Sequence, residues 1–281
     1  MRPLRAIALD VDGTLLNHLH QISPAVAHAV ADVRRRGMQV MLASARHVGS
    51  LACLLGEMRT EGLAVAFSGA AAARVHADMS FDMLFERKLS ADLAQDVAQQ
   101  ALSLGLDVGW YGSARWYAPS SDGWYAREST ILRQHPVVVP GLRGLDWAPN
   151  KLQLVGRSPA AIKRLHALRA TLPPECTAVF SHDDMLEVLP LGTNKAAGLA
   201  RLEALSGIAL DEIAAFGDAE NDIEMLREAG VGVAMGQAPE AVKAVADRIT
   251  LSNRDDGVAV ALAQEWLQQH LLASTEQENA L

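Results

Sequence analysis

Near-continuous apolar runs that stop at a polar residue and hand over to a helix-like segment dominate both ends of this 281-residue chain. The first run ends at Asp10 in "IALDVDGTLLN". Ser23-Pro24 then supplies an N-cap and a proline at the first helical position, and the helical pattern runs to Gly37. "MQVMLAS", a helical stretch from Arg46 to Met58, and "LAVAFSG" repeat the rhythm. It returns from Leu189 onward, with a helix from Asn194, the run "EIAAFGD", a helix from Ala219, the run "GVGVAM" and a helix from Pro239. Strands this apolar need cover on both faces. The two ends therefore predict an α/β fold with a Rossmann-like parallel sheet wound by helices.

The middle reads differently. "MLFERKL" has the mixed character of an edge strand, and "SADLAQDVAQQALSLG" is a helix capped by Ser90 and stopped by Gly105. Aromatics flank Gly112-Ser113 as in an antiparallel hairpin. A helix-like stretch, a Pro- and Gly-rich connection over 136–150, the strand "KLQLVG", a helix capped by Ser158 and two short strands follow. The expectation is a discontinuous core formed by residues 1–81 and 188–281, interrupted by an α+β domain over 82–187. The closing "STEQENAL" is polar and reads as frayed.

Composition narrows the function classes. A formal net charge of -8 argues against nonspecific binding to nucleic acid or anionic membrane, which needs a basic face. The one dense basic run, Arg34-Arg35-Arg36 before Gly37, suits the last turn of a helix. Cys53 and Cys176 make neither a disulfide framework nor a metal motif, and Cys53 in "SLACLLGEM" reads as a buried small apolar side chain. The N-terminal apolar stretch is broken by Asp10 and Asp12, no small-residue cleavage site follows, and no window approaches the length of a membrane span. The chain reads as cytoplasmic; its sequence leaves the oligomeric state open.

Four clusters fall at the ends of core strands, where open parallel sheets bind ligands. In Asp10-Val11-Asp12-Gly13-Thr14 the two aspartates share a face of an extended segment, and such carboxylates repel unless a cation or a shared proton separates them. Gly13 lets the backbone turn and offer N–H groups to an anion, although Asp and Gly are also ordinary turn residues. Gly217-Asp218-Ala219-Glu220-Asn221-Asp222 brings an amide and two acids to the next strand end. Helix capping explains one acid there; oxygen ligands of this type, few and partly solvated, suit Mg²⁺. Ser44 follows a buried strand and can hold a phosphoryl oxygen or cap a helix. Lys195 in "GTNKAAG" sits at a helix start, where a cation opposes the dipole. Carboxylates for a metal, a hydroxyl, a lysine and backbone donors together make a set suited to phosphoryl transfer.

"ALDVDGTLL", "LASAR", "LGTNKAAGL" and "FGDAENDIEMLREAGVGVAMGQAPEAVK" closely resemble the four motifs of the haloacid dehalogenase (HAD) superfamily, and within it the Cof-type, subclass IIB phosphatases. The insertion matches that family's C2-type cap by position and αβ content. The resemblance implies that Asp10 is the nucleophile, forming an aspartyl-phosphate, and that Asp12 is the general acid and then the base. It implies Mg²⁺ held by Asp10, the carbonyl of Asp12, Asp218 and Asp222, the last directly or through water. Ser44, Lys195, Asn221 and the Gly13 backbone would bind the phosphoryl oxygens. The second aspartate, Asp12, favours phosphate esters over carbon–halogen bonds as the implied substrates.

Two places depart from the family pattern. Ser44-Ala45-Arg46 stands where Thr-Gly-Arg is usual, and Ser68-Gly69, followed by "AAAA", stands where Asn-Gly is usual. Arg46, Ser68 and Gly69 are the substrate-contact candidates, with Arg46, Arg115 and Lys151 available for a second anionic group. Six of the chain's eight Trp and Tyr residues lie between 110 and 125, where they suit the small domain's own core and, as an alternative, stacking on a substrate ring. His18 and His20, just beyond the first motif, read as solvent-facing or hinge residues. The expected activity is removal of phosphate from small phosphorylated metabolites. A phosphomutase on the same core and a non-catalytic phospholigand-binding protein are the alternatives.

Overall fold

A computed structural model describes residues 3–113 and 115–267; "STEQENAL" lies outside the described residues. The chain opens with β1 (Ala6–Leu9), α1 (Pro24–Arg35), β2 (Gln39–Ala43), α2 (Val48–Glu57), β3 (Gly62–Ala66), β4 (Ala71–Val75) and β5 (Phe81–Glu86). The middle contributes α3 (Ala91–Ser103), β6 (Asp107–Tyr111), β7 (Trp116–Ala118), α4 (Trp124–Leu132), β8 (Val137–Val138), β9 (Lys151–Val155), α5 (Pro159–Arg169), β10 (Cys176–His182) and β11 (Met185–Pro190). The last part adds α6 (Lys195–Ser206), β12 (Ile213–Gly217), α7 (Ile223–Glu228), β13 (Val231–Ala234), α8 (Glu240–Lys243), β14 (Arg248–Ile249) and α9 (Gly257–Leu262).

The larger sheet has the order β14-β13-β12-β1-β2-β3-β4-β5, parallel except for β4 and β5. β1 lies between β2 and β12, so the strand order reverses there and opens a crevice above its carboxyl end. Alternation along the strands explains the layering: Ile7 and Leu9 pack with Val40, Leu42 and Val30 on one face. Ala6 and Ala8 pack with Met41, Val65, Leu199 and Leu202 on the other. On that second face α6 comes close, because a side chain at Gly198 would run into Val65 and the Cα of Gly69. β4, "AAARV", carries no strand preference. It is extended because Ala71, Ala72 and Ala73 are fully buried between β3 and β5.

The smaller sheet, β10-β11-β9-β6-β7-β8, stands over the carboxyl ends of the larger one. Leu152, Leu154, Leu186, Val188 and Trp110 point to α3 and α5. The alternate residues Lys151, Gln153 and Glu187 look toward the core strand ends. The division expected at 82 and 187 cuts one strand in each sheet. β5 is the hydrogen-bonded edge of the larger sheet, and β11 is an interior strand of the smaller one, so the chain changes sheets after Glu86 and after Pro190. The two crossings run side by side and are tied by Arg87, whose Nη2 donates to the Leu191 carbonyl (2.8 Å) and whose Nη1 donates to the Thr193 hydroxyl (3.2 Å).

Candidate active site

The β1 ladder continues one residue past the strand, since the Asp10 amide donates to the Phe216 carbonyl at 3.0 Å. That places Asp10 beside Gly217 and Asp218 at the end of β12. Carboxylate oxygens of Asp10, Asp218 and Asp222 all lie within 4.8 Å of one another. Asn194 caps α6 by accepting from the Ala197 amide (2.7 Å), and the next residue, Lys195, reaches into the same point. Its Nζ donates to Asp10 Oδ1 at 2.5 Å and Asp222 Oδ1 at 2.6 Å, and the residue is 1% exposed. Asp222 Oδ2 accepts from the amides of Asp218 (2.9 Å) and Ala219 (3.0 Å), so both its oxygens are held. Thr14 donates to Asp218 Oδ1 at 3.0 Å, and Gln237 Nε2 pins the Gly13 carbonyl at 2.6 Å. Gly13 is required here, because its φ is +92° and a Cβ would overlap the Asp218 carboxylate.

Three carboxylates share one lysine. Burial, followed by the charges of Asp222 and Asp218, raises the Asp10 carboxyl well above its usual range, against the opposing pull of Lys195. Burial and the Asp222 charge push Asp218 up to about 6. Lys195 is also shifted upward by the same geometry: burial disfavours its charge, yet Asp10 and Asp222 outweigh that and hold it protonated. The cluster is short of positive charge, and a divalent cation fits that deficit and the all-oxygen donor set. The carbonyls of Asp10 and Val11 accept backbone amides, whereas the Asp12 carbonyl accepts no hydrogen bond among the described residues. It is a further free oxygen donor for such an ion.

Asp12 turns its side chain away from this cluster. Arg46 holds it with a two-pronged contact, Nε to Oδ2 at 2.8 Å and Nη2 to Oδ1 at 2.6 Å. Burial opposes the charge on Asp12, but the hydrogen bonds and charge of Arg46 outweigh it and keep the carboxyl well below the usual range. Nη1 of Arg46 also donates to Ser50 Oγ (3.3 Å) and to the Ile131 carbonyl on α4 (2.9 Å), linking Asp12 to the smaller sheet's side. Ser44 does not cap α2. Its Oγ accepts from the Arg46 amide at 3.2 Å, and the cap is His47, whose Nδ1 accepts from the Ser50 amide at 3.2 Å.

A cavity of about 240 Å³ separates the two sheets, with Asp10, Asp12, Ser44, Arg46 and Asn221 on its floor and Tyr111, Trp124, Glu128 and Ile131 among its roof residues. The side-chain oxygen of Asn221 is buried without a partner among the described residues. Of the substrate-contact candidates, Ser68 and Gly69 do not line this cavity. Ser68 has left-handed backbone (φ +50°) and donates instead to buried Glu187 at 2.7 Å, while Gly69 is pressed against the Asn194 carbonyl. Lys151 is 2% exposed, and its Nζ donates to the Ala45 carbonyl (2.9 Å), Gln153 Oε1 (2.9 Å) and Glu187 Oε1 (3.4 Å). The two departures from the family pattern, Ala45 and Ser68, are therefore where a buried Lys–Glu pair of the insertion meets the core.

Sequence reasoning missed Glu128 and Glu187; His20, expected to face solvent or a hinge, is exposed and lines the cavity mouth 3.9 Å from Asp12. The usable signal was "KLQLV" and "MLEVLP", whose buried polar residues alternate with leucines and valine. Cys53 is partly rather than fully buried, a correction to the buried position expected of it, while Cys176 is buried. The aromatics form the insertion's core, with Tyr111 stacked on Trp116 at 5.5 Å and Trp116 edge-on to Trp124 at 6.3 Å. Tyr111 and Trp124 also present surface to the cavity.

A family model of haloacid dehalogenase-like hydrolases matches residues 7–262. The chain belongs to that family. Within it, this is a Cof-type member and a phosphatase. Among relatives, the HMP-PP phosphatase of Serratia proteamaculans (strain 568) is 29% identical over 285 residues, covering 95% of this chain and 97% of that protein. A haloacid dehalogenase-like hydrolase from Bacteroides thetaiotaomicron superposes with a TM-score of 0.81 at 28% identity, over 92% of this chain and 98% of the other. A HAD subclass IIB sugar phosphatase shares the fold, with a TM-score of 0.79 at 21% identity over 92% and 97% of the two chains. Among the described residues no helix is long and apolar enough to cross a membrane.

Proposed function

We propose that this phosphatase removes the phosphoryl group from small phosphorylated metabolites through an aspartyl-phosphate on Asp10, with Mg²⁺ as its metal. The observation that carries the reading is the convergence of Asp10, Asp218 and Asp222 on Lys195 beneath a closed-over cavity. Lys195 holds Oδ1 of Asp10 and leaves Oδ2 to attack phosphorus. As that bond forms, the bond from phosphorus to the leaving oxygen breaks, and Asp12 gives the departing oxygen its proton. In the second half Asp12 takes a proton from water, the water oxygen attacks phosphorus, and Asp10 and inorganic phosphate are released. Arg46 covers both Asp12 oxygens in the present state, so the acid step requires that fork to open on one of them. Ser44, Lys195, Asn221 and the Gly13 backbone bind the phosphoryl oxygens.

Asp10, Asp218 and the Asp12 carbonyl are the direct candidates for holding Mg²⁺, with Asp222 fixing Lys195 and the β12 loop beside it. Bound there, the ion supplies positive charge to the phosphoryl group as it transfers. The cavity, at about 240 Å³, suits a small leaving group. The net charge of -8 and the free thiols Cys53 and Cys176 agree with a cytoplasmic enzyme that does not bind nucleic acid.

Hydrolysis of p-nitrophenyl phosphate tests the reading. Turnover is expected to require Mg²⁺, to stop on chelation and to return when Mg²⁺ is restored. Asp10→Asn is expected to lower kcat by at least about a thousandfold while circular dichroism stays unchanged. Near-native turnover by that variant would sink the mechanism.

A further inference from the structure

The charges buried around the cavity roof are of two kinds. Lys151 spends its three donors on Ala45, Gln153 and Glu187, and Glu187 accepts from Ser68 on its other oxygen. Arg46 is equally committed, to Asp12, Ser50 and Ile131. Glu128 is different. It is 6% exposed and lines the cavity, yet its one hydrogen bond among the described residues is a long one, from the Tyr111 hydroxyl to Oε1 at 3.3 Å. Oε2 accepts none. Burial raises its carboxyl, with only partial relief from the charge of Lys151, which does not touch it. Glu128 stands one helical turn from Trp124 and one from Ile131 on α4, so all three face the cavity together. The remaining charged groups of the wall, Arg127 and Asp184, are exposed at its mouth.

The geometry points to Glu128 as the specificity-determining residue of the cap: its open oxygen receives a hydrogen-bond donor, a hydroxyl or an amine, carried by the leaving group, and it disfavours a second anionic group. This rests on the phosphatase reading. Oε2 opens to the cavity with its accepting capacity unused by the protein, so a substrate donor placed there gains a charge-assisted hydrogen bond. A second anion would meet like charge; of the cations expected for it, Arg46 and Lys151 are already consumed and Arg115 does not line the cavity. Trp124 and the ring of Tyr111 supply apolar walls for the carbon skeleton.

The test uses the full chain with Mg²⁺ and three matched probes, glucose 6-phosphate, glucosamine 6-phosphate and 6-phosphogluconate, with p-nitrophenyl phosphate as a donor-free reference. The better of the two donor-bearing sugars is expected to exceed 6-phosphogluconate in kcat/KM by about tenfold or more; comparing the two separates hydroxyl from amine. Glu128→Leu is expected to lower the ratio of that sugar to p-nitrophenyl phosphate by about tenfold to a hundredfold, and the isosteric Glu128→Gln by less. A folding defect scales both rates together and leaves this ratio unmoved. Preference for 6-phosphogluconate, sugars no better than p-nitrophenyl phosphate, or an unmoved ratio in Glu128→Gln and Glu128→Leu overturns the assignment. If the wild-type chain fails to hydrolyse p-nitrophenyl phosphate, it is the phosphatase reading that falls.

Discussion

Two buried lysines, Lys195 at the start of α6 and Lys151 on β9, have been given opposite surroundings. Lys195 lies between Asp10 and Asp222 with Asp218 close by, three carboxylates to one cation. Lys151 meets one carboxylate, Glu187, and two neutral oxygens, from Ala45 and Gln153. The first environment is unbalanced and favours recruiting more positive charge; the second is complete. Burial alone thus says little about what a charged residue does. What its partners leave unsatisfied says more.

Replacing each lysine should separate the two cases. Lys195→Met is expected to have the largest effect, a fall in hydrolysis of about a hundredfold or more and a loss of about 3–5 kcal/mol of stability. Urea unfolding with and without Mg²⁺ checks it, and the stability loss should shrink when Mg²⁺ is present. Lys151→Met strands Glu187 and should cost a similar about 3–5 kcal/mol, with a smaller effect on kcat. Here the double variant Lys151→Met/Glu187→Leu should recover most of the stability, because an apolar pair can replace a balanced one. No such rescue is expected around Lys195.

His47 gives a finer test of the balanced side. Burial first, then the charges of Lys151 and Arg46, hold its pKa down to about 4. It is therefore neutral in the folded chain, while in the unfolded chain it takes up a proton below its ordinary pKa of about 6.5. Stability should fall as the pH drops from about 6.5 to about 4, by up to about 3 kcal/mol from this residue. His47→Gln should flatten that part of the stability profile, measured by urea unfolding at stepped pH.

The same contrast governs what was legible in the sequence. Asp10, Ser44, Lys195, Asp218 and Asp222 each sit where an apolar strand ends or a helix begins, so local pattern marks them and the topology of the sheet gathers them. The β4 strand escaped, since "AAARV" is extended only because β3 and β5 enclose it. Glu128 escaped because its environment is made by Tyr111 and Trp124 on other turns of the chain, and the pairing of Ser68 is invisible to local pattern because its partner, Glu187, lies 119 residues away. Strand alternation in "KLQLV" did carry the information that Lys151 and Gln153 face away from the leucines. What it lacked was the identity of the surface opposite.

Arg87 ties together the two crossings between the sheets. Twin connections braced by one guanidinium resist sliding and twisting far better than they resist bending about the line that joins them. Away from the crossings the upper sheet is moored again, by Arg46 to the Ile131 carbonyl, Lys151 to the Ala45 carbonyl and Ser68 to Glu187. A roof anchored at both ends keeps the open oxygen of Glu128 at one place over the floor that carries Asp10. Such a roof sorts guests by fit to its own shape.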